Sequence, residues 1–357
     1  MSAVNPGIER CSRCVLPGNY PGISFDSAGL CSVCSGYLKT RGGMDWKARE
    51  RRLEAILGRY RGRNSSKYDC LVPFSGGKDS SYTLYLMVRK YGMTPLALNV
   101  DNGFTSPAAR GFITDFTGRL GVDLEVYKPP EDLMKRVYRH AMEKTGEFCN
   151  ACVVLIPTAI NRTAWERGIR LVVGSFCRMT EQPPAEMANM DGKRFWNIMK
   201  DAFTRSELEH DYFFPFWKRL TGIRYIDLPD FIFWDVPEIH RTLAARAGFE
   251  RRVTELRSDC RATPFSNFLF NRVAGYSKMD FLLSGMVRCG FLERDEAVRM
   301  LAEFDPASPP EGFFEFMQGI GCPPDILEKT EGLSASDYRG RDPLLRRAAR
   351  SLGRHVR

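Results

Sequence analysis

Four short apolar runs, each closed by a turn or a helical pattern, set the rhythm of the middle of the chain. Asp69–Phe74, Pro95–Val100, Leu124–Tyr127 and Arg170–Val173 have strand length and are rich in Leu and Val. Helical patterns fill the gaps and follow the last run's approach: Asp79–Tyr91, Ala108–Leu120, Pro130–Lys144 and Ala151–Arg167. Near-continuous apolar strands alternating with helices predict an α/β fold with a doubly wound parallel sheet, buried on both faces. Upstream, Trp46, Leu53, Ile56, Leu57 and Tyr60 recur at helical spacing within Asp45 to Gly62, predicting a connecting helix without chemistry of its own. From Met179 the pattern is less regular, and helical spacing returns at Val236–Ala247, Lys278–Cys289 and Arg294–Phe304. The expected division is 1–44, a small metal module; 45–65, the connecting helix; 66–178, the sheet domain; 179–305, an aromatic and substrate region; and 306–357, a C-terminal tail.

Ligands of such sheets bind at the carboxyl ends of the strands, and three features fall there. The first is Ser75-Gly76-Gly77-Lys78-Asp79-Ser80, between the first strand and its helix. Free backbone N–H groups and the helix dipole favour an anion at that turn. Glycines let the backbone approach it and take dihedrals other residues avoid. Ser75, Ser80 and Lys78 add hydroxyls and a positive charge, equipment for a pyrophosphate. The glycine spacing is not that of a Walker A loop. The second feature is Asp101-Asn102-Gly103, with two readings of Asp101: a ligand of magnesium or of a ribose hydroxyl, or the capping aspartate of an Asn-Gly turn. The third is Gly174, whose lack of a side chain suits close approach to an adenosine.

The cysteines form two sets. Cys11, Cys14, Cys31 and Cys34 make two C-x-x-C knuckles around a turn-rich loop, the spacing of four thiolates on one tetrahedral zinc. With every ligand supplied by protein the site is structural, and the metal supplies folding energy to a segment too small for a core. Cys149, Cys152 and the distant Cys260 are three thiols, one short of a closed zinc site. They are expected to act as a metal set with an open position, or as a redox pair carrying a persulfide; the alternative is a buried pair with Cys260 unrelated. Cys70, Cys177, Cys289 and Cys322 sit in apolar or isolated contexts and are expected to pack.

Composition adds little. A formal charge of +9 suits an anionic substrate or partner, though much of it lies in arginine runs near Arg49–Arg63 and Arg346–Arg357 that suit solvated surfaces. Eleven cysteines with no spanning apolar stretch or secretory signal point to a reducing, cytoplasmic setting without a membrane partner. The aromatics from Phe195 to Trp217, interleaved with Lys and Arg, suit either stacking on bases or sugar rings or a satellite core.

The loop Ser75–Ser80 after a strand resembles the signature of the PP-loop ATP pyrophosphatases (adenine nucleotide alpha hydrolase-like fold). That resemblance implies ATP cleaved between the α- and β-phosphates, with Mg2+, an adenylated acceptor oxygen and displacement of AMP by a nitrogen or sulfur nucleophile. It casts Lys78, Asp79 and Ser80 as catalytic, and Ser75, Gly76, Gly77, Asp101 and Gly174 as nucleotide-binding. The stretch Cys11–Pro17, then Tyr20–Asp26 and Gly29–Cys34, with Cys149–Cys152, Asp259-Cys260, Asn267 and Gly275-Tyr276, is similar to the N-acetyl sugar amidotransferases of surface-polysaccharide biosynthesis. It implies a nucleotide-linked N-acetyl sugar as acceptor and ammonia from separate glutaminase subunits. Leu171–Phe176 departs from that family in lacking an acidic residue after the strand, and the aromatic insertion is foreign to it. The set Cys149, Cys152 and Cys260 also resembles that of the PP-loop tRNA thiolation enzymes, which implies a 4Fe-4S cluster and sulfur transfer to tRNA or a small molecule. A third reading is a zinc-ribbon nucleic-acid binder with a vestigial nucleotide fold, suggested by the basic termini.

Overall fold

Five parallel strands form one sheet in the order β3-β2-β1-β4-β5, comprising β1 Cys70–Pro73, β2 Pro95–Val100, β3 Asp123–Tyr127, β4 Leu171–Gly174 and β5 Arg224–Asp227. The computed structural model describes residues 8–41, 43–62, 66–177, 192–215, 222–247, 260–303 and 307–334. Successive strand residues face opposite sides, and both sides are apolar. Cys70, Val72, Ala97, Leu171 and Val173 join one core with Leu53, Leu84, Met87, Ile113 and Phe116. Leu71, Leu96, Leu98 and Val172 join another with Ile160 and Ala164. After α1 (Ser32–Arg41), which follows Cys31, helices α2 (Trp46–Leu57), α3 (Lys78–Arg89) and α4 (Pro107–Leu120) cover one face of the sheet, and α6 (Cys149–Glu166) covers the other. This is the doubly wound architecture expected from the strand–helix rhythm.

The connecting helix starts where Asp45 Oδ1 accepts from Ala48 N at 2.9 Å and ends at Leu57 rather than Gly62. The strand β5 was not foreseen. Its inward residue Ile226 is buried while Tyr225 is half exposed, so it lacks the apolar run that marks the inner strands.

A second core lies beside the sheet, among α5 (Glu131–Thr145), α6 and the short helices Gly192–Met199 and Arg205–Tyr212. Phe195, Phe203, Tyr212 and Phe213 are buried in it, with Phe195 stacked on Tyr212 at 4.5 Å. The described part of the aromatic insertion is therefore a satellite core, not a stacking platform. Phe216 and Trp217, with Lys218 and Arg219, lie outside the described residues, as do Asp259, Phe304 and the arginine-rich 346–357.

The N-terminal cysteine module packs on the C-terminal helices. Leu16 and Tyr20 share a core with Phe270, Tyr276 and Phe281, and Val15 packs with Leu283 and Leu301. None of the described helices is long and apolar enough to cross a membrane.

Candidate functional site

The strand order changes direction at β1: its neighbours are β2, reached by the α3 crossover, and β4, reached after β3 on the far edge. A crevice at the carboxyl ends opens at such a point, and Ser75–Ser80 occupies it. Asn99 Nδ2 donates to Phe74 O at 2.8 Å and fixes the exit of β1. Gly76 then turns with φ +78, and a Cβ there would meet Ile113 Cγ1 at 2.9 Å. Of the two loop glycines, only Gly76 takes the left-handed region. Gly77, at φ −73, is the N-cap of α3 and supplies no side-chain acceptor. Its own N–H donates to Ser75 Oγ at 3.3 Å, and a Cβ on it would press on that oxygen. Ser75 Oγ lies 3.3 Å from Ser80 Oγ, which donates to Gly77 O at 3.1 Å. The two hydroxyls thus meet across the loop at the amino end of a helix.

Lys78 Nζ pairs with Asp79 Oδ2 at 2.5 Å, and Trp234 Nε1 donates to Asp79 Oδ1 at 2.9 Å. Behind them burial, helped by the Lys78 ammonium, depresses the His240 imidazole below its ordinary value. Trp234 and His240 were not foreseen, since each is one residue in an unremarkable stretch more than 150 positions from the loop.

Asp101, buried at the end of β2, accepts from Gly103 N at 3.0 Å and from Arg110 Nη1 at 2.8 Å. It is the capping aspartate of the turn and an ion-pair partner together. Asp79 and Asp101 each pair with a protein cation, Lys78 and Arg110. Gly174, ending β4, has another reason for being glycine. The Asp227 carboxylate of β5 lies where its Cβ would stand. An acidic group therefore does reach this edge, from the neighbouring strand.

The four N-terminal thiols converge. Their sulfurs all lie within 4.8 Å of one another and are fully buried, with Cys11–Cys34 and Cys14–Cys31 each at 3.9 Å. Tetrahedral Zn–S bonds of about 2.3 Å put neighbouring sulfurs about 3.8 Å apart, so the spacing fits a four-thiolate metal. Backbone N–H groups point at the sulfurs: Cys14 N and Cys31 N at Cys11, Cys34 N at Cys31, and Leu16 N at Cys14. Hydrogen bonds from Cys31 and Cys34 hold the Cys14 thiol far below its usual range, while the Cys14 contact pushes Cys34 up to about 12. Burial opposes the charge of Arg288, but the sulfurs of Cys14, Cys34 and Cys31 more than offset it. Four buried sulfurs with backbone N–H groups aimed at them form a donor set that fits a four-thiolate metal.

The second cysteine set is looser. Cys149 and Cys152 stand within the first turn of α6, not before it, because Glu147 Oε1 accepts from Cys149 N at 2.8 Å and starts the helix early. Cys152 Sγ meets Tyr138 Oη at 3.3 Å and Asn102 Nδ2 at 3.4 Å, so this thiol touches the Asp101–Gly103 turn. Cys260 bridges to Thr105 in that same segment and packs on the core holding both other cysteines. Among the described residues, no second group of three metal-ligating side chains stands at single-ion spacing. Burial, then Glu147, pushes the Cys149 thiol well up, and burial raises Cys152 to about 11. Beneath Cys149 lies a buried polar group that sequence patterns did not reveal: Glu147, Ser266 and Lys278.

No family model matches the chain. An uncharacterised protein of Methanocaldococcus jannaschii is 28% identical over 169 residues, covering 46% of this chain and 57% of that protein. The match thus spans little more than half of that relative's length. Among solved structures, an NH3-dependent NAD synthetase of Campylobacter jejuni, in complex with nitrate, superposes with a TM-score of 0.30 at 13% identity, covering 59% of this chain and all of that one.

Proposed function

We propose that the chain binds ATP across the carboxyl edge of the sheet and adenylates an acceptor amide or carbonyl oxygen. One observation carries this: the Ser75–Ser80 loop, with its left-handed Gly76 and paired hydroxyls, opens α3 at the reversal of strand order. The N–H groups of the loop and of the first turn of α3 form an anion cradle. Ser75, Ser80 and Lys78 would hold the pyrophosphate side. The acceptor oxygen attacks the α-phosphorus, and pyrophosphate leaves with the electron pair of the broken P–O bond. Ammonia then adds to the activated carbon, AMP departs with its oxygen, and the surplus protons pass to solvent. Stabilisation of the leaving charge is electrostatic preorganisation rather than covalent catalysis by the protein. Lys78, released from Asp79 toward the phosphates, would supply it. ATP arrives as its magnesium complex, and no step needs a dedicated metal carboxylate. At the N-terminal knuckles zinc is the proposed metal, supplying structural cross-linking.

The acceptor fitting this chemistry is an acetamido oxygen on a nucleotide-linked sugar, with ammonia from a separate glutaminase. The test incubates purified protein with ATP, magnesium, ammonium and such a sugar, and measures AMP and pyrophosphate. AMP formed only when all are present supports the proposal. No heat on titrating magnesium-ATP into folded protein refutes it at the first step.

A second reading has one observation in its favour: Cys152 touches Asn102, which follows β2, the neighbour of the strand that leads into Ser75–Ser80. Sulfur carried by Cys149, Cys152 and Cys260, as a persulfide or on a 4Fe-4S cluster, would then replace ammonia, with tRNA or a small molecule as acceptor. Iron and labile sulfide in anaerobically purified protein would support it. Zinc alone would count against the cluster form.

A further inference from the structure

The two cysteine centres are joined by one helix, Lys278–Arg288, here α7. Its first residue reaches the second centre. Lys278 Nζ pairs with Glu147 Oε2 at 2.8 Å and bonds Ser266 Oγ, with both charged side chains buried. Ser266 Oγ also donates to Glu147 Oε2 at 3.0 Å and stands 2.9 Å from Cys149 Sγ. The same Glu147 holds the Cys149 backbone through its other oxygen. Cys149 is thus held at both nitrogen and sulfur by one buried group, and Lys278 is its cationic member.

The last residue of α7, Arg288, lies buried against the sulfurs of the first centre, where it bonds Cys34. Other ties run from the N-terminal module to the start of α7. Arg10 Nη1 meets Asp280 Oδ1 at 2.6 Å and also Val15 O. Asp280 closes a capping box with Ser277, the residue before Lys278. Asn19 Nδ2 donates to Gly275 O at 2.6 Å, and Tyr20 packs on Tyr276 at 5.2 Å. The module therefore grips the turn from Gly275 to Ser277 as well as the far end of the helix.

We infer that Lys278 is a positioning residue for Cys149, and that the four-thiolate module serves as the brace holding Lys278 in place. A buried ammonium needs its partners in register, and a helix secured at one end only would let the first turn fray. Metal binding to Cys11, Cys14, Cys31 and Cys34 fixes the module, the module fixes α7, and α7 sets the Ser266 hydroxyl against the Cys149 sulfur. The inference gains its catalytic meaning from the reading of Cys149 as a working thiol. The placement itself is tested without turnover, so the two fail separately.

The experiment uses the full chain, zinc-loaded and reduced, with peptide-resolved alkylation by iodoacetamide and amide hydrogen exchange. Lys278→Met should speed amide exchange at Cys149 N, which Glu147 holds, by about tenfold or more, a change of about 1.4 kcal/mol in local protection, with one zinc per chain retained. Lys278→Arg should restore most of the protection. Glu147→Gln combined with Lys278→Met removes both buried charges and should still leave Cys149 labelled faster, separating positioning from a stranded carboxylate. Stripping the metal with a chelator should release Cys149 and speed exchange in 275–288, while exchange in β1, β2 and β4 stays unchanged. Cys149 amide exchange within twofold of the parent in Lys278→Met, or Cys149 labelling within twofold of it in the double variant, overturns the positioning role. Cys149 still protected after metal loss, or exchange rising equally through the sheet, overturns the brace.

Discussion

Gly76→Ala tests the Ser75–Ser80 loop at its tightest point. At φ +78 an L-residue bears about 1–2 kcal/mol of steric cost. The new Cβ would stand 2.9 Å from Ile113 Cγ1 and 3.4 Å from Phe112 Cδ1. Cγ1 is an inner atom of a buried residue packed with Phe116, so it cannot swing away as a side-chain tip would. Forcing a methyl into such a site costs about 1–3 kcal/mol. Reduced freedom in the unfolded chain returns about 0.4–1 kcal/mol. The net expectation is a loss of about 3 kcal/mol, well above the ~0.5 kcal/mol of ordinary surface changes. Urea unfolding reads it directly. Ile113→Ala, although destabilising by itself, removes Cγ1. The double variant should therefore be more stable than the sum of the singles by about 1 kcal/mol or more. Gly77→Ala, at φ −73 with only a soft contact to Ser75 Oγ, should cost far less. Equal stabilities for the Gly76 and Gly77 variants, or strict additivity with Ile113→Ala, would refute this account of the loop.

Lys78→Ala should cut AMP formation by about 10²–10³-fold, the usual loss of one transition-state donor. Its partly exposed pair with Asp79 is worth little to folding, so the unfolding midpoint should barely move; undiminished turnover would end the role assigned to it. Arg288→Met removes the buried cation beside the four sulfurs and should weaken metal binding by about 10–100-fold in competition with a chromophoric chelator. Unchanged affinity would show that the backbone N–H groups suffice. Thr204 N and then Arg136 hold the Glu207 carboxyl down to about 2. That depressed value contributes stability above the ordinary carboxylate range, and the contribution is lost as pH falls toward 2. Glu207→Gln should flatten the acid limb of the stability curve between about pH 4.3 and 2, and an unchanged limb would contradict the sign.

The inner strands were legible because Leu71, Val72, Leu96, Leu98, Val172 and Val173 are buried on alternate faces and leave an unbroken apolar signal. The edge strand β5 was not, because only Ile226 turns inward. The four-thiol site was legible because all its ligands lie within a few turns, and local spacing carries the geometry. The partners that complete each site were not. Trp234 joins Asp79 across 155 positions, and Lys278 joins Glu147 across 131. A single polar residue with a distant partner has no periodic signature, so only the folded chain identifies it. Arg110 is a different case. It lies close to Asp101 but sits in the first turn of α4, where a solvated arginine looks the same as a paired one.

The two cysteine centres face opposite electrostatic conditions, and this bears on the choice of nucleophile. Around the first, N–H groups and Arg288 all present positive charge to sulfur. Around the second, Glu147 presents a carboxylate to Cys149, and Lys278 is engaged by that carboxylate and by Ser266. Burial and Glu147 thus disfavour the thiolate at Cys149, burial does so at Cys152, and both sulfurs act as hydrogen-bond partners of Ser266, Tyr138 and Asn102. Sulfur chemistry begins from a thiolate or a metal-bound sulfur, so it requires positive charge brought to this wall, either with a cluster or by Lys278 turning from Glu147. Transfer of nitrogen makes no such demand on either cysteine. Cys149→Ser and Cys152→Ser separate the two. Hydroxyls keep most of the hydrogen bonding, so ammonia-dependent AMP formation should survive the exchange, whereas any sulfur-transferring activity should disappear.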